Sequence, residues 1–163
     1  MQLKSVNRET QLAHIYQINA SQGGVPKLPV ERGEVTSNGL VGDRQRHTQV
    51  HGGAQAALCL YSLERIQALQ AEGHPIYPGA VGENLTIVGL DWEKVVPGAR
   101  LRLGNQVLIE VTRYTTPCSE IAGAFLNQQI KRILQDKHPG WSRVYARVLQ
   151  GGTIFPGDKV CLE

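Results

Sequence analysis

The sequence has no closely spaced pair of cysteines. Its three thiols, Cys59, Cys118 and Cys161, are odd in number and far apart, which argues against a disulfide framework or a zinc ribbon and fits a reducing, cytoplasmic setting. No apolar run approaches membrane-spanning length, and Met1 to Thr10 is mainly polar, so neither a spanning helix nor a signal peptide is expected. Lys and Arg form no run interleaved with aromatics, and the net charge is only +3, so no nucleic-acid partner is expected. A Walker glycine loop, a GxSxG elbow and a GxGxxG opening a helix are also missing, which removes three common ways of building a nucleotide or ester site.

What the chain does have is glycine, 18 residues of it, with 8 prolines. That punctuation implies many turns between short strands. At 163 residues and 41% hydrophobic content, residues 1–163 are expected to form a single soluble domain with a real core. Strands are expected over Gln11–Ala20, around Val35, over Ala56–Tyr61, Asn84–Val88, Gln106–Tyr114 and Arg143–Leu149. In the last of these Val144, Ala146 and Val148 form a dry face, opposite Arg143, Tyr145 and Arg147. Two segments echo each other, Val96-Pro-Gly-Ala-Arg-Leu-Arg-Leu103 and Phe155-Pro-Gly-Asp-Lys-Val-Cys-Leu162. In each, Pro-Gly supplies the centre of a type II turn that enters a strand, and Cys161 is expected to pack in the core. Helices are expected over Ser62–Glu72, capped by Ser62, and over Ile121–Leu134, with Ile121/Phe125 and Leu126/Ile130/Leu134 at helical spacing. The expected fold is mainly β (α+β), a curled or closed β-barrel of short strands with two or more interspersed helices.

Chemistry concentrates at Cys118 in Thr-Thr-Pro-Cys-Ser-Glu. Pro117 ends the preceding strand and Ser119-Glu120 reads as a helix start, so the thiol would feel the positive end of a helix dipole. Such a setting favours the thiolate, which attacks electrophiles, carries sulfur or binds a soft metal; a small buried hydrophobe is the competing reading. Arg113, just upstream beside Thr112, is placed to stabilise that thiolate and bind an anion. A second cluster runs from Gly42 to Gly53, basic and glycine-flanked, with Arg44 and Arg46 offering forked donors suited to phosphate. Its His47 and His51 are four apart, but the flanking glycines and the lack of an HExxH glutamate disfavour zinc. A Cys–His pair of Cys118 with His51 or His47 stays open. Asn84, after the Gly82 turn, can bond a ligand or its own backbone.

In order, Val41-Gly-Asp-Arg44, His51-Gly-Gly53, Gly82-Glu-Asn-Leu-Thr86, Pro97-Gly98, Glu110-Val-Thr112, Pro117-Cys118 and Gly157-Asp158 resemble the MOSC family, named for the C-terminal domain of molybdenum cofactor sulfurases. The likeness spans roughly residues 12–162 and looks like a standalone member. It implies a barrel-like fold holding a molybdenum cofactor of the molybdopterin type, with no pyridoxal phosphate in the domain itself. Cys118 takes the place of the family cysteine, which carries sulfur as a persulfide or ligates molybdenum. Arg44, Arg113, Arg143 and Arg147 are the candidates for holding the cofactor phosphate, and His51, Asn84 and Thr112 are expected at the same site. The sequence departs from some members in placing Thr116, not arginine, before Pro117-Cys118.

Two enzymatic versions follow from the resemblance. In one, Cys118 accepts sulfur from a pyridoxal-phosphate-dependent desulfurase and passes it on. In the other, it holds molybdenum while N-hydroxylated small molecules are reduced. A non-catalytic module binding cofactor or an anionic metabolite, with Cys118 structural, is the alternative from another class.

Overall fold

Short alternating segments between glycine turns become strands because each can bury one face against the same core. The computed structural model describes residues 12–44 and 53–163. In chain order the strands are β1 (His14–Ala20), β2 (Leu28–Val30), β3 (Gly33–Thr36), β4 (Gly39–Leu40), β5 (Leu58–Ser62), β6 (Leu85–Val88), β7 (Arg100–Leu103), β8 (Val107–Tyr114), β9 (Val144–Gln150), β10 (Gly152–Ile154) and β11 (Val160–Leu162). Helix α1 (Leu63–Ala71) follows β5 directly. Ser62 caps it by accepting a hydrogen bond from Arg65 N, and Leu63, Ile66 and Leu69 are its buried face.

Eight strands form one sheet in the order β11-β7-β8-β9-β5-β6-β1-β2, and β10-β3-β4 form a second. Pairing is antiparallel throughout except between β5 and β6, where α1 supplies the crossover that parallel neighbours need. Neither sheet closes, so the closed barrel expected from the sequence is not found. What ties the two ends of the large sheet together is an isolated bridge between His14 and Lys159, supported by Ile15 N donating to Asp158 O and Gly157 N to Ile15 O. The core beneath runs from Ile15 and Ile18 through Leu60, Tyr61 and Ile87 to Ile109, Val111 and Val144.

The two Pro-Gly echoes prove to be neighbours. Ala99 N donates to Val96 O and Asp158 N to Phe155 O, closing both turns, with Gly98 and Gly157 each at φ 92°. The strands that follow, β7 and β11, then pair with each other, Val160 against Leu103. Cys161 departs from expectation: on this outer strand it is half-buried, opposite Arg102, not packed in the core.

The expected helix over Ile121–Leu134 is also absent. The segment forms three separate 3-10 turns, Ser119–Ala124, Leu126–Gln128 and Ile130–Ile133. Phe125 between the first two is extended, and Asn127 and Gln128 have positive φ. Ile121, Ala124, Phe125 and Ile133 are nevertheless buried. The paired residues are four apart, a helical spacing, but burial does not follow it. Leu126 is exposed while Ala124 and Ile133 are buried, because the kinks between the short turns re-aim the side chains.

Gly79 lies in the turn before β6 at φ 91°, and a Cβ there would stand 2.2 Å from Lys27 O. Gly79→Ala is therefore expected to lose on the order of 2–3 kcal/mol in urea denaturation. A loss below about 0.5 kcal/mol would mean that this turn is not locked against the Lys27 backbone.

Candidate active site

The ladder of β8 and β9 continues one step past Tyr114, where Thr115 N donates to Arg143 O at 3.1 Å. Beyond it Pro117 turns the chain, and Cys118 sits extended (φ −126°, ψ 172°) at the start of the Ser119–Ala124 turn. A six-residue 3-10 turn aligns far less dipole than the α-helix expected here. The positive charge around the thiol is instead carried by side chains. Cys118 is half-buried in a cleft that also takes in Lys27, Arg44, Arg143 and Tyr145, with Val81 and Gly82 on the wall. Counted to its open mouth, the cleft encloses about 540 Å3.

Arg143 is the most constrained of these cations. It is 7% exposed; its Nη1 donates to Val81 O at 2.6 Å, while its Nε is buried with no hydrogen-bond partner. Among the described residues no carboxylate lies within ion-pair distance of it. A guanidinium is always charged, so its burial without a counter-ion is a standing cost. Lys27 differs: its Nζ is 2.6 Å from Asp43 Oδ1, both side chains 6% exposed. Arg44, next in the chain, is exposed at the cleft and anchored through its N–H to Ser21 O.

Asn84 is fully buried. Its Oδ1 accepts from Cys59 N at 3.0 Å, and its Nδ2 donates to Asp43 Oδ2 at 2.9 Å and Asn19 O at 3.4 Å. With both ends of the amide engaged by protein, Asn84 positions the Asp43 carboxylate; it is not part of the cleft wall. Neighbouring Glu83 is also buried, its Oε1 accepting from Gly79 N and its Oε2 from Thr86 Oγ1. Burial pushes the Glu83 carboxyl up to about 7, against the opposing pull of those hydrogen bonds and the charge of Arg143.

The other expected residues lie outside the cleft wall. A bulge in β8 between Val111 and Arg113 leaves Thr112 unpaired in the ladder, and its Oγ1 donates to Gln55 O, tethering the turn that follows Gly53. Arg113 is exposed and stacks over the Tyr145 ring at 5.0 Å, touching the site through that wall. Arg147 is held by Glu110 through two bonds, from Nε at 3.1 Å and Nη2 at 2.8 Å, and is no longer a free donor for phosphate. His51, with His47 and Arg46, lies outside the described residues.

Lys27 and Tyr145 are site residues that sequence reasoning passed over. Lys27 sits in a turn-rich stretch with nothing local to mark it. Tyr145 had a signal, since it shares a strand face with Arg143. That face was expected to be wet, but Tyr145 is buried against Ala56 and Cys59.

Cys59 reaches the cleft wall from beneath, buried, and burial pushes its thiol up to about 11. In folded protein, iodoacetamide is expected to label Cys118 while Cys59 stays unmodified; peptide mapping that finds Cys59 modified first would reverse the assignment. Glu83 gives a pH test. Its folded pKa of about 7 exceeds the ordinary 4.5, so the proton is held more tightly in the folded state. Its contribution to stability is full below about pH 4.5 and lost as pH rises through 7. Relative to Glu83→Gln, the parent is expected to weaken by on the order of 3 kcal/mol across that window, read from urea midpoints. A parallel course for the two proteins would show that Glu83 stays ionised.

These features meet a consistent set of relatives. The sequence profile of the MOSC domain matches residues 47–161. YflK of Bacillus subtilis is 32% identical over 117 residues, 71% of this chain and 52% of YflK. YiiM of Escherichia coli is 32% identical over 124 residues, 72% of this chain and 54% of YiiM. A Gibberella moniliformis protein named a reductase is 32% identical over 132 residues, 78% of this chain but 23% of that protein. The chain thus spans about half the length of the two bacterial relatives. The crystal structure of YiiM from Geobacillus stearothermophilus aligns with a TM-score of 0.70 at 27% identity, covering 93% of this chain and 75% of that one. By sequence profile and by fold alike, the chain belongs to the MOSC family.

Proposed function

We propose that the cleft binds a molybdenum cofactor of the molybdopterin type and that the protein is a molybdenum-dependent reductase of N-hydroxylated compounds. The observation that carries this reading is the buried, uncompensated Arg143 guanidinium sharing one cleft with the half-buried Cys118 thiol. The donor set fits the group: an orphaned N–H and nearby cations suit a phosphate, and a cysteine sulfur suits a soft metal. The fungal relative named a reductase favours the redox version.

Arg143 Nε would donate to an anionic oxygen, and that bond would supply the counter-charge its burial lacks. Val81 O holds the guanidinium through Nη1, so Nε would need little movement to reach a ligand. Arg44 would meet the more solvated end of the anion at the mouth. Lys27, already matched by Asp43, holds the segment leading to Arg44 in place. Cys118 would provide the sulfur ligand. When bound, the cofactor supplies the redox centre for converting N–OH to N–H, a change that takes up two electrons and two protons and releases water.

The test is metal and pterin analysis of protein purified from a cofactor-producing host. Parent protein is expected to carry both molybdenum and pterin. Cys118→Ser should retain pterin but lose metal and activity, and Arg143→Gln should lose pterin roughly tenfold or more through one charge-assisted bond. Parent protein free of both, or Cys118→Ser with full metal and activity, overturns the reading. Metal-free protein with Cys118 one sulfur atom heavier, the extra sulfur released by a thiol reductant, would instead indicate sulfur transfer.

A further inference from the structure

A second cavity, about 570 Å3 counted like the cleft to its open mouth, lies on the reverse side of the strand ends that build the cleft. Side chains alternate across a strand. Arg143 and Tyr145 face the cleft, whereas Ser142 and Tyr114 face this cavity, and the Thr115–Arg143 backbone bond is the wall between them. The remaining lining is aromatic and apolar, chiefly Trp92, Val96 and Pro139. Most polar atoms there already have partners. Trp92 Nε1 donates to Ser142 O, Ser142 Oγ donates to Thr115 O and Arg143 O, and Gln135 Oε1 accepts from Gly140 N.

Glu93 carries the one charge among the exceptions, which include the Tyr114 hydroxyl and the Gln135 amide nitrogen. Among the described residues its carboxylate joins no hydrogen bond or ion pair, although it lines the cavity. The nearby cations are engaged elsewhere: Lys94 with Asp91 at 4.0 Å, and Arg65 with Gly140 O and the Trp141 ring. An acidic acceptor beside two aromatic rings selects a cation on an apolar body, through the ion pair and cation–π attraction together. We propose that this cavity is a second ligand site, for a small aromatic molecule bearing a protonated amine, with its ammonium on Glu93 and its ring against Trp92 and Tyr114. The proposal does not depend on what the cleft binds.

The test titrates the full chain, 15N-labelled, with 2-phenylethylamine, 2-phenylethanol and 3-phenylpropionate, following the indole N–H resonances of Trp92 and Trp141. The amine is expected to bind roughly tenfold tighter than the alcohol, the acid weakest, with the Trp92 resonance shifting. Glu93→Gln, an exposed change, should bring the amine down to the level of the alcohol. Val96→Trp, which fills the cavity from a partly exposed position, should weaken both. Equal affinity for amine and alcohol, amine binding untouched by Glu93→Gln, or a Trp92 resonance that no probe moves would each overturn the proposal.

Discussion

The site hangs on one carboxylate. Asp43 accepts from Ser21 N, Lys27 Nζ and Asn84 Nδ2, groups from two separate parts of the chain, the connection after β1 and the turn before β6. Asn84 passes the constraint onward to β5 through Cys59 N and to β1 through Asn19 O. The connection after β1, the start of the basic segment at Arg44 and strands β5 and β1 are thereby fixed to each other. Breaking one side of a buried ion pair typically costs roughly 3–5 kcal/mol, because the other charge is left stranded. That asymmetry makes Asp43 and Lys27 a joint requirement of the fold, not a removable ornament of the site.

Against this neutralised pair, Arg143 stands out electrostatically. Both cations are buried at the same cleft, yet one has its counter-ion built in and the other does not. The difference divides their work. Lys27 organises structure, and Arg143 is left with attraction to direct outward. Glu83 does not remove that attraction, since burial raises its own pKa and its two oxygens are turned to Gly79 and Thr86. With Lys27, Arg44 and Arg143 against Glu120, basic side chains outnumber acidic ones in the cleft lining.

Much of this was legible in the residues. Alternation located most strands, Ser62 marked α1, and the Pro-Gly repeats marked two turns. The ordered motifs singled out Cys118 and Arg44, with Arg143 one of three further arginines named as candidates outside any motif, and these three residues line one cleft. What failed did so for identifiable reasons. The Ile121–Leu134 helix was inferred from four-residue spacing alone, and the kinks at Phe125 and Asn127 that break the segment into 3-10 turns leave no mark in that spacing. Asn84 and Arg147 were read as ligand donors because sequence does not show that Asp43 and Glu110 claim them first. Lys27 could not be seen because its importance comes wholly from a tertiary partner. That the sheet stays open, its ends meeting through an isolated bridge at His14–Lys159, was beyond pattern reading.

That bridge has a kinetic consequence. β1 can pair with β6 once the middle of the chain is available and its C-terminal half with nearby β2, but the start of that second flank, around Ile15, waits for Gly157–Val160, and β7 waits for β11. The contacts that join the two ends of the sheet therefore have about the largest sequence separation the described chain offers, and loop-closure entropy must be overcome before they give anything back. Until they form, β1 and β7 each show an unsatisfied edge to solvent and to other chains. The same pairing that joins the far strands of the sheet makes its completion a late event in folding, and the interval before it the time of greatest exposure to aggregation.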